Sequence, residues 1–139
     1  HNGVYNANIT ANRALIQIYG GTFNGRFYTS VDSSAYMLIS GGKFKYLDNS
    51  YGSALNADKF TIGSAKGAFD RGVYVDDEGY IVVGGAVITE FGDKFAAKAT
   101  NASKAGSYLQ YSSAAANGLY YTNADAAIAK HGAANVELK

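Results

Sequence analysis

Few side chains in this sequence have the types and spacing that catalysis requires. The chain carries two histidines: His1 is terminal, and His131 stands at a predicted helix end, where a cation is favoured. A Ser-His-Asp catalytic group is therefore poorly supported. Cysteine is absent, which excludes disulfides, thiolate metal sites and thiol catalysis. We therefore expect a protein that is not an enzyme and that holds no cofactor.

Acidic side chains cluster at one point of the chain. Asp76, Asp77 and Glu78 are calcium candidates, because carboxylate oxygens suit that ion. Three adjacent carboxylates cannot all face one ion, however, and their spacing follows no established loop pattern, so a solvated turn is the expected structure. A polysaccharide lyase would need clustered acids beside a Lys or Arg, and Asp70 with Arg71 is the candidate pair for that role.

Tyrosine is the side chain with the clearest binding potential, since the chain contains 12 of them. Amphipathic rings on a rigid sheet offer contact area at low entropic cost, as in glycan-binding platforms and protein interfaces. Ordinary packing between strands is the other interpretation. The candidates for binding a glycan or a protein are Tyr19, Tyr36, Tyr46 and Tyr51.

A repeat organises the first part of the chain and would position these tyrosines. Residues 14–23 (ALIQIYGGTF) recur 21 positions later as residues 35–44 (AYMLISGGKF). A further copy, residues 80–87 (YIVVGGAV), follows at about two such periods, and residues 59–67 fill the place between. Repeats of this length are typical of stacked structural units.

Each copy has the pattern of a strand followed by a corner. Apolar and polar residues alternate, and the Gly-Gly pair after them permits a sharp turn. Ile16 is then expected beside Met37, next beside Phe60, and then near Ile81. This pattern predicts an all-β fold, a right-handed parallel β-helix-like solenoid, and the absence of Pro fits its continuous pairing. An antiparallel β-sandwich is the alternative, because residues 76–79 have the composition of a hairpin turn.

The composition changes after Glu90, where alanine and small polar residues dominate. We divide a single domain, 1–139, into repeat coils at 1–91 and an Ala-rich terminal part at 92–139. Residues 107–111 are predicted to form a strand. A helix is predicted over 123–131, with a capping residue at its start and Gly132 after its end, and a final strand over 135–139.

The repeat resembles a known class of sequence. Residues 18–23 (IYGGTF) and 39–44 (ISGGKF) are similar to the I-S-G-G-T-F coils of large β-helical surface proteins of host-associated bacteria. Residues 121–138 resemble the helix-then-strand unit that opens or punctuates such β-helices. The resemblance implies secretion, display on the cell surface or in a fibre, and no catalytic residues. It does not extend to residues 92–118.

The charge balance and the hydropathy of the chain limit the kinds of partner that it is expected to bind. Twelve Lys and Arg balance eleven Asp and Glu, which argues against nucleic acid, and no apolar run approaches a membrane span. The open end of a β-helix offers unpaired strand groups, so Val136, Glu137 and Leu138 are candidates for assembly with another copy or with neighbouring coils of a longer chain.

Together these observations favour a non-catalytic extracellular structural or adhesive protein. It would self-assemble into a filament or surface layer, or bind a host protein or glycan through its tyrosine-rich face. The alternative is a polysaccharide lyase or a phage-tail-like glycan-binding protein on the same scaffold. A small-ligand binder built as a β-barrel is a third class, which predicts an internal cavity and no polymer.

Overall fold

The structure, a computed structural model, describes residues 2–29, 36–47, 60–62, 71–100 and 118–139. These residues form strands of two to four residues and one short helix, with a 3₁₀ turn at Ala133–Asn135 before the last strand. The elements are β1 (Val4–Tyr5), β2 (Ile9–Ala11), β3 (Leu15–Ile18), β4 (Thr22–Phe23), β5 (Phe27–Thr29), β6 (Tyr36–Ile39), β7 (Gly42–Phe44), β8 (Phe60–Ile62), β9 (Val73–Val75), β10 (Ile81–Val83), β11 (Ala97–Ala99), β12 (Leu119–Tyr121), α1 (Ala124–His131) and β13 (Val136–Leu138).

Within the described residues the strands make three sheets. The largest has eight strands in the order β1-β4-β7-β10-β9-β12-β11-β13, and the others are β2-β5 and β3-β6-β8. Every strand pair formed among β1 to β8 is parallel, and from β1 to β7 the chain passes through the three sheets in turn. Ile16 pairs with Met37 and Met37 with Phe60, so the predicted stacking of these three strands is confirmed.

The predicted β-helix is nevertheless wrong as a description of the fold, because the large sheet mixes parallel and antiparallel pairs. β9 and β10 form an antiparallel hairpin, and β10 pairs antiparallel with β7. Ile81 therefore lies opposite Phe44 in the large sheet and does not extend the sheet of Met37 and Phe60. The antiparallel sandwich is wrong as well, since β1, β4 and β7 are mutually parallel.

The hairpin reverses the chain because Asp76 closes its turn with side-chain hydrogen bonds. The Asp76 carboxylate accepts from the backbone N–H of Glu78 at 3.0 Å and from that of Tyr80 at 2.9 Å. An Asp that bonds to the backbone in this way stabilises a tight turn. The third copy of the repeat thus begins on a strand that runs opposite to the first two, which its period-two alternation could not reveal.

The C-terminal helix lies where the sequence places it. Asn123 is the N-cap, with its side chain accepting from the Ala126 N–H at 3.0 Å, and the N–H of Gly132 bonds to the Ile128 carbonyl at 2.8 Å at the other end. Ala127 is fully buried and joins the core of the large sheet. The predicted strand at 107–111 lies outside the described residues.

Candidate interaction surface

A row of facing side chains crosses all eight strands of the large sheet. Residues directly opposite on neighbouring strands point to the same face. Six of the eight members are buried, whereas the two at the ends, Tyr5 and Leu138, are 41% and 57% exposed. This core row consists, in sheet order, of Tyr5, Phe23, Phe44, Ile81, Val75, Tyr121, Ala97 and Leu138.

Aromatic stacking fixes the end of the core row at β1. The rings of Phe23 and Phe44 are 5.0 Å apart and nearly parallel, and those of Tyr5 and Phe23 are 4.8 Å apart with an interplanar angle of 8°. Aromatic pairs of this kind contribute beyond the area they bury. Tyr5 is the terminal ring of this stack among the described residues, and its contact with Phe23 packs β1 against β4.

Backbone hydrogen bonds show which groups of β1 remain at the sheet edge. The Gly3 carbonyl accepts from the Thr22 N–H at 2.9 Å, and the Tyr5 carbonyl accepts from the Asn24 N–H at 2.8 Å. Because residues on a strand alternate in the side to which their N–H and C=O point, those of Val4 face away from β4. The Val4 side chain is 66% exposed beside them.

The opposite edge of the large sheet is β13, which contains the predicted assembly residues. Its flanking residues bond to β11: the Asn135 carbonyl accepts from the Thr100 N–H at 2.8 Å, and the Lys139 N–H donates to the Ala96 carbonyl at 3.0 Å. By the same alternation, the backbone groups of Val136 and Leu138 face outward. The Val136 N–H is taken by the Ala133 carbonyl, which leaves its carbonyl and both groups of Leu138 at the edge.

A shallow groove of about 340 Å³ lies on the other face of the sheet, beside β1. Its floor contains Gly21 and Gly42, whose positive φ angles of 113° and 123° favour glycine. Its charged lining residue, Lys43, forms an ion pair with Asp76 at 3.0 Å. The groove therefore offers backbone and apolar surface next to the β1 edge, rather than a cluster of reactive groups.

The predicted carboxylate cluster serves mainly as a turn. Burial raises the pKa of the Asp76 carboxyl, but the hydrogen bonds from Lys43 and from the Tyr80 and Glu78 amides outweigh it, so that this pKa lies below its usual value. The hydrogen bond to Asp76 in turn raises the pKa of the Lys43 ammonium. Asp77 and Glu78 are exposed. Among the described residues, no group of three metal-binding side chains is assembled.

His131 joins the helix to the sheet. Its Nε2 lies 2.7 Å from the Tyr121 hydroxyl, and Asn135 donates to its backbone carbonyl at 2.9 Å. Burial lowers the pKa of the imidazole, with a further contribution from Lys130, and burial raises the pKa of the Tyr121 hydroxyl. Of the candidate lyase pair, Arg71 is exposed, and Asp70 lies outside the described residues.

The candidate tyrosines occupy separate places. Tyr36 begins β6 opposite Leu15, whereas Tyr19 follows the far end of β3, about 13 Å further along the strand direction. Tyr46 follows β7 and carries the Arg26 guanidinium 4.1 Å above its ring centroid. Tyr19 is 70% exposed, and Tyr51 lies outside the described residues.

Sequence reasoning missed β1 and with it one of the two sheet edges. A signal for it exists, because Gly3-Val4-Tyr5 has the Gly-x-aromatic pattern of Gly21-Thr22-Phe23 and Gly42-Lys43-Phe44. These three segments lie side by side in the large sheet.

Two further observations concern membrane-spanning helices and comparison with known proteins. In the part of the chain that the structure describes, no helix has the length and apolar character needed to cross a membrane. The chain matches no family model, no curated protein and no solved structure in the comparisons made.

Proposed function

We propose that this chain is a non-catalytic structural module that associates with further copies of itself through the edges of its large sheet. The observation that carries the proposal is that β1 and β13 each have exposed apolar side chains next to backbone groups that face outward from the sheet. Such edges are templates for strand addition, and proteins that stay monomeric usually block them with charge, Pro or bulges. Here Val4, Tyr5 and Leu138 are apolar or aromatic, and Glu137, the charged residue of these two strands, lies 3.6 Å from the Lys98 ammonium of β11.

An extracellular or cell-surface location belongs to the same proposal. It depends on the resemblance of residues 18–23 and 39–44 to the coils of bacterial surface proteins. In that setting, sheet-edge association would build a filament or layer. Adhesion to a glycan or host protein through Tyr19 and Tyr36 remains a prediction from the sequence.

Sedimentation velocity over a range of protein concentrations tests the proposal, with negative-stain microscopy of the concentrated sample. The edges are short, so the contact belongs to the small, transient class and its dissociation constant is expected between about 10 µM and 1 mM. We expect the sedimentation coefficient to rise with concentration, and Val4→Lys combined with Leu138→Lys to abolish the rise.

Val87→Lys is the matched control, because Val87 is also an exposed apolar residue but lies outside every strand. It should associate as the unsubstituted chain does. A chain that stays monomeric up to about 1 mM would refute the proposed function.

A further inference from the structure

We infer that β13 of one copy adds to β1 of the next as a parallel strand, so that one continuous sheet runs through successive copies. This inference rests on the proposed self-association and specifies its geometry. The first support is strand direction: following the pairings across the sheet, four of the seven are antiparallel, so β13 runs in the same direction as β1. Simple translation of a copy along the sheet therefore places the two edges parallel.

The outward-facing backbone groups of the two edges are complementary in this arrangement. In a parallel pair, a residue donates its N–H to one neighbour of its partner and accepts at its C=O from the other neighbour. If Val4 lies opposite Glu137 of the second copy, its N–H meets the Val136 carbonyl and its carbonyl meets the Leu138 N–H. The bonds already made inside each copy leave these groups at the edges.

The side chains select the same register. With Val4 opposite Glu137, Tyr5 lies opposite Leu138, and these are the two exposed ends of the core row. The row of buried side chains then continues from one copy into the next without a break. Leu138 packs against the ring that ends the stack of Phe44, Phe23 and Tyr5.

A second copy is thus the occupant of the β1 edge, and the contact is head-to-tail. A contact between two different surfaces propagates as an open chain of copies unless its rotation closes a ring. Eight strands separated by about 4.8 Å give a repeat of about 38 Å along the sheet direction. A dimer formed by two β1 edges would instead leave both Leu138 side chains exposed.

Disulfide trapping tests the register, and the absence of native cysteine makes single-cysteine variants unambiguous. Equal amounts of V4C and E137C protein are mixed under mild oxidation, and the mixed disulfide dimer is measured by non-reducing electrophoresis and mass spectrometry. Directly opposed residues on adjacent strands have a Cα separation near 4.8 Å, within the range a disulfide needs, so this pair should cross-link at least about tenfold faster than V4C with V87C. V4C alone should give little homodimer.

The outcomes separate the geometry from the proposed function. Equal rates for the E137C and V87C mixtures, or a dominant V4C homodimer, would overturn the parallel β13–β1 contact even if sedimentation shows association. Absence of any association in sedimentation would overturn both the contact and the proposed function. Fast V4C–E137C cross-linking, lost when Tyr5 and Leu138 are also replaced by lysine, is the result we expect.

Discussion

Replacing Gly25 with alanine should weaken the stacking that supports the β1 edge. Gly25 is buried where the chain segment before β5 crosses the segment between β1 and β2. An added Cβ would lie 2.7 Å from the Asn8 nitrogen, with the Ala7 carbonyl closer still, and both are backbone atoms that cannot rotate away. Restoring an ordinary contact of 3.4 Å to the Asn8 nitrogen alone requires the two segments to separate by about 0.7 Å, and the closer Ala7 carbonyl requires more.

The cost of this separation follows from the bonds that bridge the two segments. The Ile9 N–H donates to the Arg26 carbonyl at 2.8 Å, and the Arg26 N–H donates to the Asn8 side chain at 2.9 Å. Weakening each costs about 0.5–1.5 kcal/mol, and overpacking strain adds about 1–3 kcal/mol. Alanine also reduces the entropy of the unfolded chain, which returns about 0.4–1 kcal/mol. These contributions sum to about 1–6 kcal/mol, and we expect the free energy of unfolding to fall by about 2–4 kcal/mol, near the middle of that range.

Urea unfolding followed by circular dichroism measures this change, with Gly20→Ala as the matched control. The nearest atom to a Cβ at Gly20 is the Asn2 side-chain oxygen at 3.4 Å, an ordinary contact, so that variant should stay within about 1 kcal/mol of the unsubstituted chain. With a typical urea dependence, Gly25→Ala should lower the midpoint by about 1–2 M. Equal midpoints for the two variants would refute the close backbone approach on which the argument depends.

Four further predictions, at three residues, concern the elements that frame the large sheet. Asp76→Ala should reduce the free energy of unfolding by about 1–3 kcal/mol, because two turn amides and Lys43 lose their acceptor. Asp77→Ala, at an exposed position, should change it by less than about 0.5 kcal/mol. Equal losses in urea unfolding would contradict the turn assignment. The low pKa of folded Asp76 means that its contribution is present above the ordinary value near 3.8 and is lost as the pH falls through the folded pKa, so Asp76→Asn should flatten acid unfolding in that range. Burial holds the pKa of folded His131 below 6.5, so the folded state favours the neutral ring. The free energy of unfolding should therefore fall as the pH drops below 6.5 and level off below the folded pKa. His131→Phe should remove this dependence, and an unchanged pH profile in that variant would contradict the assignment to His131. Asn123→Ala should cost about 1 kcal/mol in thermal or urea unfolding through loss of the N-cap, and a change under about 0.3 kcal/mol would contradict that role.

Local sequence patterns predicted the strands and the helix that are determined by residues close together in the chain. The alternation at Ile16 and Met37 identified strands and their register, because the Gly-Gly corners fix where each strand ends. Capping by Asn123 and termination at Gly132 predicted the helix in the same way.

Strand direction was not predictable from the alternation, although the composition of residues 76–79 did indicate the hairpin turn that the structure has between β9 and β10. The alternation at Ile81–Val83 reads alike in both directions, and the reversal depends on hydrogen bonds that Asp76 makes within its turn. The β1 edge was missed for another reason: two residues are too few to show a period, and Tyr5 joins the core row through a ring stack with Phe23 formed only in the folded chain.

Amide hydrogen exchange measured by NMR at two protein concentrations tests the sheet-edge contact most directly. In the isolated molecule the N–H groups of Val4 and Leu138 face outward, whereas that of Glu137 lies within the pairing with β11. We predict that Val4 and Leu138 gain protection as the concentration rises, while Glu137 stays unchanged. Protection that is independent of concentration at Val4 and Leu138, or that rises equally at Glu137, would contradict the contact.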